Sequence, residues 1–88
     1  MYTNKQRQWD VKLLRYNNTI NKWVVIDSKK VWEFDDECYK ANVFYQALNV
    51  FENEIQVNDV IFSCDTYTQI TPNTYKIINT IYYSDVIW

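Results

Sequence analysis

Residues 35–53 read DDECYKANVFYQALNVFEN, and this stretch decides the fold of the 88-residue chain. Its apolar residues recur with the i, i+3, i+4, i+7 spacing of a helix that packs on a core. Asp35 or Asp36 can cap the start of the helix, and Asn49 or Asn53 can end it in place of glycine. The predicted core-facing stripe consists of Cys38, Ala41, Phe44, Tyr45, Leu48 and Phe51.

A second, thinner apolar strip lies on the opposite side of this predicted helix and consists of Tyr39, Val43 and Val50. One interpretation is that a loop covers it, or that these are single exposed apolar residues, which are common on soluble proteins. The other is a contact with a partner or a second copy, since large apolar patches are rarely left bare. The sequence leaves both open, so the three residues are candidate partner-binding residues.

The chain before the helix predicts three strands. Residues 9–13 (WDVKL) alternate apolar and polar side chains, as a half-buried strand does. An asparagine-rich turn at 17–21 leads to a return strand at 22–27 (KWVVID). A polar turn over 27–30 then separates this hairpin from a short apolar strand at 31–34 (VWEF).

The chain after the helix predicts two further strands. The first, at 60–64 (VIFSC), has the potential to continue through Tyr67. Residues 71–74 (TPNT) predict a turn, because Pro72 fixes φ beside an asparagine. The last strand, at 75–83 (YKIINTIYY), carries apolar residues on both faces, which is typical of a central strand.

These elements predict one α+β domain over residues 1–88, with residues 1–7 frayed. The sheet is expected to be mostly antiparallel, with four or five strands and the helix on one face. The chain has no apolar run long enough to span a membrane and no apolar segment of a signal peptide near its first residue. Cys38 and Cys64 are therefore expected to be reduced, buried thiols of a cytoplasmic protein.

The composition removes most kinds of catalytic chemistry. The chain has no histidine and no glycine, so histidine-based triads, dinucleotide fingerprints and phosphate-binding loops are excluded. The acidic residues Glu33, Asp35, Asp36 and Glu37 offer oxygen ligands for a divalent cation, but their spacing fits no metal loop. A strand end followed by a helix cap explains them better. We expect no enzyme activity, no cofactor and no metal site.

The charged residues divide unevenly along the chain. Residues 1–32 carry seven basic and two acidic side chains, for +5, and residues 33–88 carry two basic and nine acidic ones, for −7. If the two halves intermix in space, the fields cancel and the division bears only on solubility. If they stay apart, the acidic part favours docking on a basic surface.

The combination predicts a small protein that binds another protein and blocks it in a stoichiometric complex. The candidate contacts are the acidic residues and apolar strip named above, together with the aromatic residues Tyr82, Tyr83 and Trp88. The richness in Asn, Ile, Lys and Tyr is typical of AT-rich genomes. This association favours a phage or mobile-element protein that inhibits a host or defence factor.

Two alternatives stay open. The basic hairpin can hold single-stranded nucleic acid through Lys12, Arg15 and Lys22 with neighbouring aromatic rings, although the pI near 4.9 argues against such a role. Alternatively, the protein is a structural homodimer that uses the apolar strip of its helix.

Overall fold

The computed structural model describes residues 7–33, 39–63, 66–78 and 81–88. They form one α-helix and a six-stranded mixed sheet with the strand order β5-β4-β3-β1-β2-β6. The α+β class is confirmed, whereas the expected sheet of four or five mostly antiparallel strands is corrected. The elements are β1 (Arg7–Asn17), β2 (Lys22–Glu33), α1 (Tyr39–Val50), β3 (Val60–Ser63), β4 (Thr66–Ile70), β5 (Tyr75–Ile78), a 3₁₀ turn (Tyr83–Asp85) and β6 (Val86–Ile87).

The long hairpin of β1 and β2 forms the centre of the sheet. The turn that joins them is confirmed: the Asn17 side chain accepts the Thr19 N–H at 2.8 Å, and Asn21 has a φ of 54°. The predicted turn at 27–30 is wrong, because these residues continue β2 and pair with β1. The hairpin partner supplies the backbone hydrogen bonds there, so polar side chains do not end the strand.

A register shift in this hairpin changes which side chains face the helix. Leu13 pairs with Asp27 and Leu14 with Val25, which leaves Ile26 as the extra residue of a β-bulge. Val25 therefore belongs to the apolar cluster on the face away from the helix, and Val31 belongs to the cluster under the helix. The bulge thus shifts the alternation of side chains along β2, so that Val25 and Val31 face opposite sides of the sheet although they are six residues apart.

The helix packs on one face of the sheet with a different side from the predicted one. Val43, Ala47 and Phe51 are fully buried, whereas Tyr45 is 63% exposed. The assignment of Val43 to an exposed strip and of Tyr45 to the core stripe is therefore wrong. Phe44, Leu48 and Val50 are half-buried against the same core. Cys38 and Cys64 lie outside the described residues.

The C-terminal part of the chain crosses from one edge of the sheet to the other. The turn at 71–74 is confirmed by the Thr71 N–H donating to the Thr74 oxygen at 2.9 Å. The predicted central strand at 75–83 is wrong: β5 ends at Ile78 and is an edge strand, with Ile77 65% exposed. Ile81 then packs on the face away from the helix, and β6 pairs in parallel with β2.

The strand predicted from residue 60 is confirmed as β3, but it ends at Ser63, and Tyr67 belongs to a separate strand, β4. The two strands pair with each other in antiparallel fashion. Among the described residues, no helix is long and apolar enough to cross a membrane.

Candidate partner-binding surface

Residues from the basic and acidic halves of the sequence meet in the sheet. The strands β1 and β2 lie between β3 on one side and β6 on the other, so N-terminal and C-terminal strands interleave. Arg15 from the basic half forms an ion pair with Asp59 from the acidic half at 2.8 Å. This interleaving brings opposite charges close together, so it reduces the separation of the surface into a basic part and an acidic part.

The Arg15 guanidinium is held by three hydrogen bonds. Its Nε and one terminal nitrogen donate to the two carboxylate oxygens of Asp59 at 2.9 and 2.8 Å, and that nitrogen also reaches the Glu54 carbonyl at 2.9 Å. Asp59 is only 2% exposed and accepts a further bond from the Gln56 N–H at 3.0 Å. The hydrogen bonds that Arg15 donates to the Asp59 carboxylate raise the pKa of Arg15, so the guanidinium stays charged.

The other two residues of the predicted nucleic-acid site also have partners within the chain. The Lys12 ammonium donates to the Ser28 hydroxyl at 3.3 Å, and the Lys22 ammonium donates to the Ser84 carbonyl at 2.9 Å. Two open clefts of about 370 and 390 Å³ adjoin Arg15 at the end of the hairpin. Among the described residues that line these clefts, the only cation is Arg15, which Asp59 already neutralises.

A pair of carboxyl groups lies beside this ion pair. Asp27 and Glu54 share a hydrogen bond, which lowers the pKa of Asp27 and raises the pKa of Glu54. Lys29, 3.7 Å from Asp27, also stabilises the Asp27 carboxylate. Between the Asp27 and Glu54 pKa values the pair holds one proton, and this hydrogen bond is lost as the pH rises through the Glu54 pKa.

The titration of this pair gives a first testable prediction. Carboxyl ¹³C NMR across a pH series is expected to show Glu54 titrating above its ordinary value and Asp27 below its own. An Asp27→Asn substitution should move the Glu54 pKa back toward the ordinary value, because the anionic partner is gone. A Glu54 pKa that ignores this substitution would contradict the shared hydrogen bond.

An exposed aromatic cluster lies at the C-terminal end of the described chain. We call Tyr82, Tyr83 and Trp88 the C-terminal aromatic surface. Tyr82 and Tyr83 are 69% and 78% exposed. The rings of Tyr83 and Trp88 stack with centroids 5.4 Å apart, and Trp88 also meets the edge of Phe62 at 6.0 Å.

Local hydrogen bonds hold this surface in place. The Asp85 N–H donates to the Tyr82 carbonyl at 2.9 Å and closes the 3₁₀ turn. The bond from Lys22 ties Ser84 to the hairpin, and β6 ties Val86 to Trp23. The aromatic rings therefore stand on a segment that is ordered without a partner, which reduces the entropy lost on binding.

The predicted partner-binding residues lie in different surroundings, and only some of them come together. Tyr83 and Trp88 are brought together, Val43 is in the core, and Val50 is half-buried. Glu33 ends β2 and Tyr39 begins α1. Asp35, Asp36 and Glu37 lie outside the described residues, so their acidic contact stays a prediction.

Sequence reasoning missed Phe62 as the support of Trp88 and Ile87 as an exposed neighbour of the surface. No local pattern marks either, because their positions depend on pairing between distant strands.

Among the described residues there is no group of three or more His, Cys, Asp or Glu side chains that could hold a metal ion. Comparisons of the chain with protein-family models, curated proteins and solved structures found no match.

Proposed function

We propose that this protein binds another protein through its C-terminal aromatic surface and acts by forming a stoichiometric complex, without catalysis. The observation that carries the proposal is the stacked, exposed pair of Tyr83 and Trp88 beside the exposed Tyr82. Tyrosine and tryptophan dominate the energetic centres of protein interfaces, because they bury a large area with few rotatable bonds. Their stacking supplies such a centre in an ordered form.

The partner that we propose presents a basic surface. Asp85 adjoins the aromatic surface, and the predicted acidic residues Asp35, Asp36 and Glu37 would add long-range attraction to such a partner. Blocking of a basic, nucleic-acid-binding surface of a host or defence factor, in the host cytoplasm, is the specific form that the composition favours. Capture of the partner from a bacterial lysate tests this identity.

Binding of nucleic acid is the less favoured alternative. Single-strand binders combine free cations that track the backbone with aromatic stacking platforms. Here Arg15 is engaged by Asp59 and Glu54, and Lys22 is engaged with the Ser84 carbonyl. Phosphate groups would have to displace these internal bonds.

The proposal predicts a large effect of truncating one tyrosine. Tyr83→Ala should weaken partner binding by at least about 30-fold, since an interface centre contributes roughly 2 kcal/mol or more. The matched control is Tyr45→Ala, which removes a tyrosine of similar exposure (63%) from the helix. The measurement is capture from a nuclease-treated lysate of a low-GC bacterium, followed by titration of the purified partner.

The outcomes of this experiment separate the hypotheses. One stoichiometric protein that is lost with Tyr83→Ala and kept with Tyr45→Ala supports the proposal. Equal binding by both variants refutes the aromatic surface as the contact. Capture of nucleic acid alone, with affinity that falls steeply as salt rises and with loss on Lys12→Glu or Lys22→Glu, would favour the alternative. Charge reversal of Asp35, Asp36 and Glu37 then tests the electrostatic part.

A further inference from the structure

The outer edge of β2 is covered at two places and open between them. At one end β6 pairs with Trp23 and Val24. At the other end the Gln46 side chain reaches the edge: its amide oxygen accepts the Trp32 N–H at 3.2 Å, and its amide nitrogen donates to the Trp32 carbonyl. Within the part of the chain that the structure describes, no strand pairs with the outer side of residues 25–31.

The direction of the backbone groups along this edge follows from the Gln46 contact. The N–H and C=O of Trp32 face away from β1, because both bind Gln46. Since these groups alternate along a strand, those of Lys30 and Ser28 face outward as well. The Ser28 N–H accordingly donates to the Asp27 side chain at 2.8 Å. The open edge therefore presents outward backbone groups to a further strand, which would replace Asp27 as the acceptor of the Ser28 N–H.

We propose that a second copy of this chain pairs with the open edge of β2, antiparallel about a two-fold axis at Ser28. A symmetric dimer needs a surface that complements itself, and Ser28 is the midpoint of residues 25–31. In this pairing, the end of β2 that β6 covers in one copy lies beside the end of β2 that Gln46 covers in the other copy. The two six-stranded sheets then form one continuous sheet by strand addition.

Charge selects this register. With Ser28 opposite Ser28, Asp27 of each copy lies opposite Lys29 of the other, which gives two cross-strand ion pairs. The neighbouring registers that keep the backbone bonding place Lys29 against Lys29 or Asp27 against Asp27. Like charges directly opposite each other are destabilising, so the sequence of this edge favours the register centred on Ser28.

Exposed apolar side chains flank the open edge at both ends. Ile26 and Trp32 on β2 and Ile87 on β6 are 40%, 47% and 45% exposed. Trp32 lies just beyond the open edge at one end and Ile87 just beyond it at the other, so the antiparallel pairing places the Trp32 end of one copy beside the β6 end of the other. The dimer thus brings together apolar surfaces that are separate in one chain.

The lysines of the edge explain why the proposed occupant is a second copy. Lysine on a free edge ordinarily discourages strand addition by unrelated chains. Within one chain Lys29 lies 3.7 Å from Asp27, and across the new pairing it faces an acidic residue only when the incoming strand carries one at the matching position, as Asp27 of the second copy does. This argument is independent of the C-terminal aromatic surface, whose Tyr82 and Tyr83 the dimer leaves exposed.

The test is the mass of the protein in solution by sedimentation equilibrium across a concentration series. The expected wild-type species is a dimer of the 10.8 kDa chain. Asp27→Lys and Lys29→Asp should each raise the dissociation constant by about tenfold or more, and the double variant should restore it, because the cross-strand pairs are exchanged. Ser28→Pro should abolish the dimer, since it removes an outward N–H that β1 does not use.

Controls make each result decisive. Far-UV circular dichroism must show that the variants are folded, and the rescue by the double variant cannot arise from unfolding. Lys76→Asp on β5, the opposite edge of the sheet, should leave the dimer intact. A mass of 10.8 kDa at every concentration would overturn the proposal. So would a dimer that survives Ser28→Pro, that depends on Lys76, or that is not rescued by the charge exchange.

Discussion

Asp59→Ala is expected to lower the free energy of unfolding by about 3 kcal/mol, because it leaves the Arg15 guanidinium without its carboxylate partner. Asp59 is 2% exposed and binds Arg15 through both oxygens. It also accepts the Gln56 N–H, so the substitution removes a third hydrogen bond from the loop that leads into β3. The side chain of Arg15 is 32% exposed, so water can solvate its charge when Asp59 is removed. The loss of unfolding free energy is therefore smaller than for a fully buried pair.

Urea denaturation of the two proteins, with stability extrapolated at constant slope, measures this loss. The matched control is Asp10→Ala, which breaks an exposed ion pair with Lys30 that spans 4.0 Å. An exposed pair of this length contributes at most a few tenths of a kcal/mol. Similar losses for Asp10→Ala and Asp59→Ala would contradict the structural role of the Arg15–Asp59 pair.

The double variant Arg15→Met with Asp59→Leu separates pairing from burial. Removing both partners leaves no unpaired charge, so it should recover a large part of the stability lost in Asp59→Ala. A double variant that is less stable than Asp59→Ala would mean that the hydrogen bonds to Glu54 and Gln56, and not the uncompensated charge, dominate the loss.

Local sequence signals predicted the local parts of this fold. The alternation at 9–13, the asparagine turn at 17–21 and the proline turn at 71–74 each depend on a few neighbouring residues, and each is confirmed. The strand through 27–30 could not be predicted in this way, because its hydrogen bonds come from β1. Likewise β6 contains two residues, and only its pairing with β2 makes it a strand.

The candidate site also depends on contacts between residues that are distant in the sequence. The sequence predicted Tyr83 and Trp88 as aromatic contacts, yet their stacking depends on the 3₁₀ turn and on Phe62, which is distant in the chain. The sequence predicts that Arg15 is available to bind a ligand. In the structure it binds Asp59, which is 44 residues away in the chain. Charge counts along the chain cannot show such pairs, and they decide whether a cation is free to bind a ligand.

The helix was assigned the wrong rotation because two stripes fit its sequence. The predicted stripe and the observed one share Phe44, Leu48 and Phe51. The prediction adds Tyr45, whereas the structure adds Val43, Ala47 and Val50. A helix turns about 100° per residue, so Val43 and Tyr45 flank the shared residues on opposite sides, and the rotation of the helix about its axis decides which of them is buried. The contacts of α1 with β2 and β3 decide between them, and these contacts are not a property of the helix alone.

Val43→Lys tests this rotation directly and should prevent folding. Val43 has no exposed surface, and a buried ammonium without a partner costs several kcal/mol, a large share of the stability of a small domain. Tyr45→Lys, two residues away on the same helix, places the ammonium in water and should change stability by less than about 1 kcal/mol. Circular dichroism and thermal unfolding of both variants measure the difference.

The alternative arrangement gives the opposite result for the same two variants. If Val43 lay on an exposed strip that joins two copies, Val43→Lys would give a folded monomer, and Tyr45→Lys would be the variant that fails to fold. A folded Val43→Lys protein would therefore refute the observed packing. An unfolded one, with Tyr45→Lys folded, removes the strip of Tyr39, Val43 and Val50 as a continuous dimer contact, and leaves the open edge of β2 as the place where a second copy can pair.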